Sequence, residues 1–329
     1  MTGKPIFKWI KKRELQKCKS WPARHLSKLI LLTVLFLTLD SFAQQDALFS
    51  QYMCNKLLVN PGYAGSRETF SADMTYRYQW TGIEGAPKTI SLSMHAPMRN
   101  DHVGLGGYIY SDQIGPAVDQ GALATYAYRV NLPKGKLSFG VQAGVKYYTI
   151  DWDMIVVEDP DFVFQGDQKS KITPDANVGI YYFAKRVYAG ISSKQLLQNE
   201  YGMVTVNGQK AYSKLLRHFY GMAGLALPIS DRVIFKPSVL VKYVKNAPWQ
   251  MDLDASFLFN DLIWLGMTYR TAGELVLLTE LNIGRKYRLG YSYDVNVKDM
   301  VHYNSGSHEI RLGIDLDLLK NRMYTPRYF

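Results

Sequence analysis

Ser91, Ser93 and His95 lie at alternate positions of one segment, and alternate residues of a β-strand project from the same face. A serine beside a histidine resembles a nucleophile and its base, which also need an acidic group to orient the base. Asp73, on the preceding segment, is the acidic group available. Serine and histidine are equally expected on the polar face of a strand, and the sequence holds no phosphate-binding loop, GxSxG or HExxH motif. We predict a protein without catalytic residues.

Metal and cofactor sites are not predicted either. Beyond residue 43 the chain has a single cysteine, Cys54, and five histidines, and these lack the paired spacing that zinc sites use. The histidines are His95, His102, His218, His302 and His308.

Residues 1–43 are predicted to be a secretory signal peptide, cleaved after Ala43. They carry nine lysines and arginines, an apolar run at 29–39, and small residues at Ser41 and Ala43. The apolar run is too short to span a bilayer. This segment contributes +7 to the formal net charge of +11, so residues 44–329 carry only +4. That charge is too small to predict a nucleic-acid partner.

The segments that carry these side chains alternate apolar and polar residues, the pattern of half-buried β-strands. In residues 70–80 the even positions are apolar or aromatic and the odd positions are polar. About fourteen such segments occur, many of them nine to eleven residues or longer, the length that a membrane-spanning strand needs. Tyrosines near their ends, such as Tyr126, Tyr128, Tyr181 and Tyr269, favour positions at the membrane interface.

The predicted fold is therefore all-β, a transmembrane antiparallel β-barrel over residues 67–317. Short links alternate with longer ones, notably 151–173 and 194–213, which matches short periplasmic turns and long external loops. Charged residues at lumen-facing positions, among them Asp73, Arg77, Arg288 and Arg311, must be paired or solvated. They fit a watery pore and a packed, salt-bridged interior equally well.

Several pieces outside the strand pattern carry a family resemblance. The chain has FSQYM at 49–53 and NPGYAGS at 60–66, followed by further pieces at 76–80, 82–89, 112–116, 126–129, 235–238 and 303–310. In their order and spacing they resemble the PorP/SprF family of the type IX secretion system, over residues 46–317. The resemblance implies a non-enzymatic outer-membrane protein of secreting and gliding bacteria, associated with periplasmic machinery and often with one surface adhesin. An outer-membrane porin or transporter is the alternative function.

Two end pieces are the predicted partner-binding regions. Residues 44–66 form an N-terminal segment, either periplasmic or inside the lumen as a plug, and its Phe49, Tyr52, Met53 and Tyr63 must be buried against something. Residues 318–329 form a periplasmic tail, and Pro326 keeps the tail from extending the sheet. Its predicted contact residues are Tyr324, Arg327, Tyr328 and Phe329.

Overall fold

The structure, a computed structural model, describes residues 47–151, 169–206, 209–284 and 286–317. Within these residues no helix is long and apolar enough to cross a membrane. Short 3-10 helices cover Lys56–Leu58, Pro61–Tyr63 and Asp299–His302. The strands are β1 Phe70–Tyr78, β2 Lys88–Pro97, β3 Val103–Ile114, β4 Ala117–Leu132, β5 Gly135–Ile150, β6 Lys169–Phe183, β7 Val187–Lys194, β8 Glu200–Val206, β9 Gln209–Lys214, β10 His218–Leu225, β11 Leu227–Ser230, β12 Val233–Val244, β13 Gln250–Phe259, β14 Ile263–Arg270, β15 Glu274–Ile283, β16 Tyr287–Asn296 and β17 Ser307–Leu316.

These strands form a closed antiparallel barrel. Neighbours in sequence pair along the wall, β1 pairs with β17, and β10 pairs with both β7 and β12. Ala226 alone separates β10 from β11, so the two strands occupy one position in the wall. The barrel therefore has fourteen wall positions, which confirms the predicted strand number.

Side chains alternate between the two faces of the wall, as the sequence pattern requires. In β1, for example, Asp73 and Arg77 are buried on the inside, whereas Met74 and Tyr76 are exposed on the outside. The exposed positions of the other strands carry leucine, isoleucine, valine and aromatic residues. The exterior is apolar and the interior polar, as expected for a barrel in lipid.

The two ends of the barrel differ in the length of their connections. At the end where β1 terminates, connections at 79–87, 151–168, 195–217 and 297–306 join the strands, and we call this end the long-loop rim. At the opposite end, the short-turn rim, the links have two to five residues. The predicted asymmetry is present, but the connection after β7 is not simply a loop, because it contains the hairpin of β8 and β9.

The predicted signal peptide, residues 1–43, and the predicted tail, residues 318–329, lie outside the described residues. The same holds for Tyr324, Arg327, Tyr328 and Phe329. Their roles stay predictions.

Candidate functional site in the barrel lumen

The residues that precede β1 lie inside the barrel, and we call residues 47–66 the lumenal segment. Its first part lies toward the long-loop rim, because the Ser50 N–H donates to Glu309, near the start of β17. Its last part lies toward the short-turn rim, because the Gly65 N–H donates to His95 Nδ1, near the end of β2, over 3.2 Å. The segment thus runs along the lumen from one rim toward the other before the chain enters the wall.

The four residues of this segment with a predicted partner role are all buried: Phe49, Tyr52, Met53 and Tyr63. They belong to one apolar cluster with wall residues such as Tyr108, Tyr181 and Met222. The described part of this segment, residues 47–66, therefore packs inside the barrel, and residues 44–46 lie outside the described residues. A partner could contact these side chains only after the segment leaves the lumen, so their role in partner binding stays a prediction.

Carboxylates on β16 and β17 hold the first part of the lumenal segment. Glu309 accepts the backbone N–H groups of Ser50 and Gln51, over 2.8 and 2.9 Å. The Ser50 hydroxyl donates to Asp294 and accepts from Arg77, which itself pairs with Asp294 at 2.7 Å. Hydrogen bonds to charged groups are stronger than those between neutral groups, so this end of the segment is anchored electrostatically.

Further ion pairs continue toward the short-turn rim along β13–β17 and β1, which we call the charged wall. Arg288 lies 3.2 Å from both Asp73 and Asp315, and Arg311 pairs with Asp73 and Glu280. All five side chains are buried. Each buried charge has an oppositely charged partner, which is the condition for tolerating charge away from water. Of the two interiors that the sequence left open, this part of the lumen has the packed, salt-bridged one.

On β5–β7, which we call the glycine wall, the segment packs directly against backbone. A Cβ atom added to Gly140 would lie 2.2 Å from the Gly62 nitrogen. Cβ atoms added to Gly179 and Gly190 would lie 2.1 and 2.7 Å from the amide oxygen and nitrogen of Asn60. Only residues without a side chain allow this approach, which is a recognised reason for glycine inside a strand.

Asn60 is the residue that ties the segment to this wall. Its Nδ2 group donates to the backbone carbonyls of Ile180 and Ile191, over 3.0 and 3.2 Å. Its Oδ1 atom accepts the Gly62 N–H over 2.8 Å and so caps the short helix that Pro61 begins. One side chain therefore fixes both the local turn and its position against β6 and β7.

Aromatic rings fill the space beside this turn. The Tyr63 ring meets His95 and Tyr181 edge-on, with centroids 5.2 and 5.4 Å apart. Tyr181 is fully buried in the lumen, so its predicted position at the membrane interface is wrong. Tyr181 faces the lumen and packs on Tyr63 of the lumenal segment rather than reaching lipid.

Lys56 is a buried amine in the middle of the segment. Its Nζ atom donates to the Met53 carbonyl over 2.7 Å and lies 4.6 Å from the centre of the Tyr188 ring. Burial lowers the pKa of Lys56 well below its ordinary value, and the nearby Lys236 lowers it further.

Ser93, His95 and Asp73, three of the residues whose types suggested a nucleophile with its base, contact the lumenal segment or the charged wall instead. Ser93 Oγ accepts from Asn55 Nδ2 over 2.8 Å, His95 Nδ1 accepts from the Gly65 N–H, and Asp73 pairs with two arginines. Among the described residues, no group of three or more histidine, cysteine, aspartate or glutamate side chains is arranged to hold a metal ion. The arrangement positions a peptide segment inside a barrel.

The sequence analysis did not predict the glycine wall, although glycines inside three strands indicate it. Gly140, Gly179 and Gly190 interrupt strands that are otherwise rich in bulky residues. Glycine inside a strand marks a close approach of another backbone, and the NPG turn at 60–62 supplies it.

A closed antiparallel barrel of fourteen strands, with an apolar exterior, a polar interior and unequal rims, is a β-barrel of the outer-membrane type. The chain belongs to the PorP/SprF family: residues 41–314 match the family described as "Type IX secretion system membrane protein PorP/SprF". The resemblance that the sequence motifs indicated is confirmed.

Two solved structures are similar to the chain at low sequence identity. The toluene transporter TodX of Pseudomonas putida is 10% identical over 82% of this chain and 94% of its own, with a TM-score of 0.44. The translocator domain of the autotransporter NalP from Neisseria meningitidis is 10% identical over 90% of this chain and 96% of its own, with a TM-score of 0.40. No curated protein matches the chain in sequence.

Proposed function

We propose that this protein is a non-enzymatic component of the outer membrane that supports type IX secretion or the surface anchoring of a gliding-type adhesin. Membership of the PorP/SprF family supports the link to the secretion machinery. In this proposal residues 1–43 direct export, the apolar exterior contacts outer-membrane lipid, and the short-turn rim faces the periplasm.

The observation that carries the proposal is the occupied lumen. The lumenal segment is held by Glu309 on one wall and by Asn60 against the other. A general diffusion channel needs a water-filled passage, and a segment packed along the barrel opposes one. We therefore favour a sealed scaffold over the alternative, an outer-membrane porin or transporter, which would share every feature of the strands.

The periplasmic partner is proposed to contact the tail at 318–329, through Tyr324, Arg327, Tyr328 and Phe329. This assignment follows from the sequence, in which the tail continues past the last strand and Pro326 opposes further pairing. Deleting residues 321–329 should leave barrel assembly and heat-modifiable gel migration intact while weakening co-purification with periplasmic components. If the truncated protein fails to reach the outer membrane, the tail is an insertion signal and this part of the proposal is wrong.

Two measurements together test the function. The purified barrel should show little conductance in planar bilayers, and deletion of the gene should deplete secreted proteins or one large adhesin from the cell surface. A variant without residues 47–64 provides the conductance control, because removal of most of the lumenal segment should open a passage in the same barrel. Large steady conductance of the intact protein with an unchanged surface proteome would establish the porin instead.

Substitution of the serine and the histidine on β2 tests for a catalytic role. Ser93→Ala and His95→Ala should leave secretion and surface display unchanged as long as the barrel folds. An activity lost in both variants, with folded protein retained, would contradict the non-enzymatic assignment.

A further inference from the structure

A groove crosses the outer face of the barrel over β4–β7, β10 and β12. It has a volume of about 890 Å³ and is lined mainly by apolar and aromatic side chains. Gly221 of β10 forms its floor, because a Cβ atom added there would have nothing within 4 Å. Ile191 of β7 and Val241 of β12 pair with Gly221 on either side, and both side chains are exposed. A glycine between two branched side chains therefore makes a recess in the face that meets lipid.

Aromatic rings flank both ends of this groove. Tyr126 and Tyr128 lie at the end on β4. Phe219 and Tyr243 lie at the end on β10 and β12, with ring centroids 6.2 Å apart. Five strand spacings of about 4.8 Å separate β4 from β12, so the groove is roughly 24 Å long. Its length and apolar lining fit one extended hydrocarbon chain, and the lipid around the barrel supplies such chains.

The end of the groove on β10 and β12 lies near the level of the lipid headgroups. β7 has eight residues, fewer than the nine to eleven that a membrane-spanning strand needs, so the residues that follow it lie close to the edge of the hydrocarbon layer. One of them, Leu196, accepts the Nε–H of Arg217 on its carbonyl over 3.1 Å. The two terminal nitrogens of this exposed guanidinium have no hydrogen-bond partner among the residues that the structure describes. They are available to a ligand at that depth.

A second cation lies beside the first. Arg217 immediately precedes β10, and Lys245 immediately follows β12. The residues next to them, His218 and Val244, are a pair between these strands, so the two cations are neighbours at the long-loop rim. Both are exposed. The aromatic end of the groove lies directly below them in the wall.

The chain around the two cations carries no acidic residue to neutralise them. Three segments meet at this end of the groove, and aspartate and glutamate are absent from 195–199, 215–217 and 245–249. Beyond these segments, Glu200 is opposite Lys214 in the β8–β9 pairing, and Asp252 pairs with Lys242 inside the barrel. The groove therefore ends at two positive charges, which favour an anionic headgroup.

We propose that the groove and the two cations form a binding site for one phosphate-bearing lipid of the leaflet at the long-loop rim. The acyl chain lies in the groove over Gly221, and the phosphate oxygens accept hydrogen bonds from Arg217 and Lys245. A guanidinium suits this role because two of its N–H groups can meet one phosphate together. A transmembrane protein in the groove would account for the apolar lining but would not call for the paired cations. The site uses only the outer face of the barrel, so it is independent of the proposed secretion role.

Native mass spectrometry of the purified barrel, titrated with diphosphoryl lipid A in detergent micelles, measures the binding. Phosphatidylcholine is the comparison lipid, since its choline neutralises the phosphate charge. We expect one lipid A to bind, and Arg217→Gln/Lys245→Gln to weaken its binding about tenfold, because charged hydrogen bonds to phosphate are lost. Binding of phosphatidylcholine should change little. The matched control is Lys185→Gln/Arg186→Gln, which removes the same two residue types from the exposed β6–β7 turn and should leave lipid A affinity unchanged.

A second variant fills the groove from its floor. Gly221→Leu places a side chain where the structure leaves open space, so the barrel should form, which heat-modifiable gel migration checks. Its affinity for lipid A should also fall about tenfold, because the acyl chain loses its place. Ala122→Leu adds similar bulk to an exposed position on the outer face of β4 outside the groove, and it should bind as the native protein does.

Four results would overturn the lipid site. Unchanged lipid A affinity in Arg217→Gln/Lys245→Gln would remove the phosphate contact, and unchanged affinity in folded Gly221→Leu would remove the groove. Displacement of lipid A by inorganic phosphate at a similar concentration would show that the cations bind an anion without help from the groove. A dimer in the same spectra that Gly221→Leu dissociates would show that a second copy of the chain occupies the groove.

Discussion

The charged wall meets the lumenal segment with buried carboxylates and arginines, whereas the glycine wall meets it with bare backbone, one asparagine and tyrosine rings. Ion pairs of the charged wall mostly join strands to one another, so they stabilise the barrel itself. Contacts on the glycine wall join the barrel to the segment. Changes on the two walls should therefore have different consequences, loss of barrel stability on one and release of the segment on the other.

The largest effect is expected on the charged wall. Arg311→Met would leave Glu280 buried without its partner and remove one of the two arginines from Asp73. We expect the free energy of unfolding, measured by denaturant titration in liposomes, to fall by about 3–5 kcal/mol. Lys185→Met, at an exposed position of the β6–β7 turn, is the control and should change stability little.

The same variant can be partly rescued. Adding Glu280→Gln to Arg311→Met removes the unpaired buried carboxylate, so part of the lost stability should return. A loss below about 1 kcal/mol in the single variant would show that water reaches these charges, and the contrast between the walls would fail.

On the glycine wall, Gly140→Ala should release the segment while the barrel stays folded. The new methyl group would meet the Gly62 backbone, and overpacking of this kind costs about 1–3 kcal/mol. Gly221→Ala is the control, because a Cβ atom at that glycine of β10 has nothing within 4 Å.

The rate at which the Cys54 thiol is labelled measures the release of the lumenal segment. Burial raises the pKa of its thiol to about 11, so the thiol stays protonated near pH 8 and should react slowly with iodoacetamide. We expect faster labelling of the Cys54 peptide in Gly140→Ala and unchanged labelling in Gly221→Ala. Equal, slow labelling in both variants would show that the glycine wall adapts without releasing the segment.

Asn60→Ala is the next smaller change on the same wall. It removes two donated hydrogen bonds to β6 and β7 and the cap on Gly62, at a cost of about 1–2 kcal/mol. Hydrogen exchange of residues 55–66 should accelerate, with the barrel strands unaffected. Asn55→Ala, which removes a single bond to Ser93, should have a smaller effect. Acceleration spread over the wall strands would mean that the segment and barrel form one cooperative unit.

The strands could be predicted from the sequence because alternation and strand length are local properties. The strand ends could not always be predicted: the sequence assigns 151–173 to a long link, whereas β6 begins at Lys169. Pro174 lacks an N–H group, but β7 pairs with β6 only from Val178 onward, so the proline occupies a stretch that pairs with β5 alone. Proline is tolerated where a strand has a partner on one side only. That this part of β6 is such an edge follows from the strand pairing and not from the sequence.

The lumen contacts depend on long-range geometry. Ser50 and Glu309 are 259 residues apart, and no local pattern relates them. The sequence placed Asp73 and Arg311 on inward faces correctly, but their partners follow from strand register, which the alternation alone does not specify.

The smallest effect is expected at Lys56, where burial opposes the charged form of the amine. Replacing a buried ion by an apolar side chain of similar length is often neutral or stabilising, so Lys56→Met should change stability by less than about 1 kcal/mol near pH 7. Because burial lowers the pKa of Lys56 in the folded protein, the unfolded chain binds more protons between that lowered pKa and the ordinary value of about 10.5. The native protein should therefore gain stability relative to Lys56→Met as the pH rises through this window. Unfolding titrations of both proteins at pH 7, 8, 9 and 10 measure the difference, and groups common to both cancel. A difference that stays flat with pH would show that the Tyr188 ring keeps the ammonium charged, and the glycine wall would then hold the segment partly by charge, as the opposite wall does.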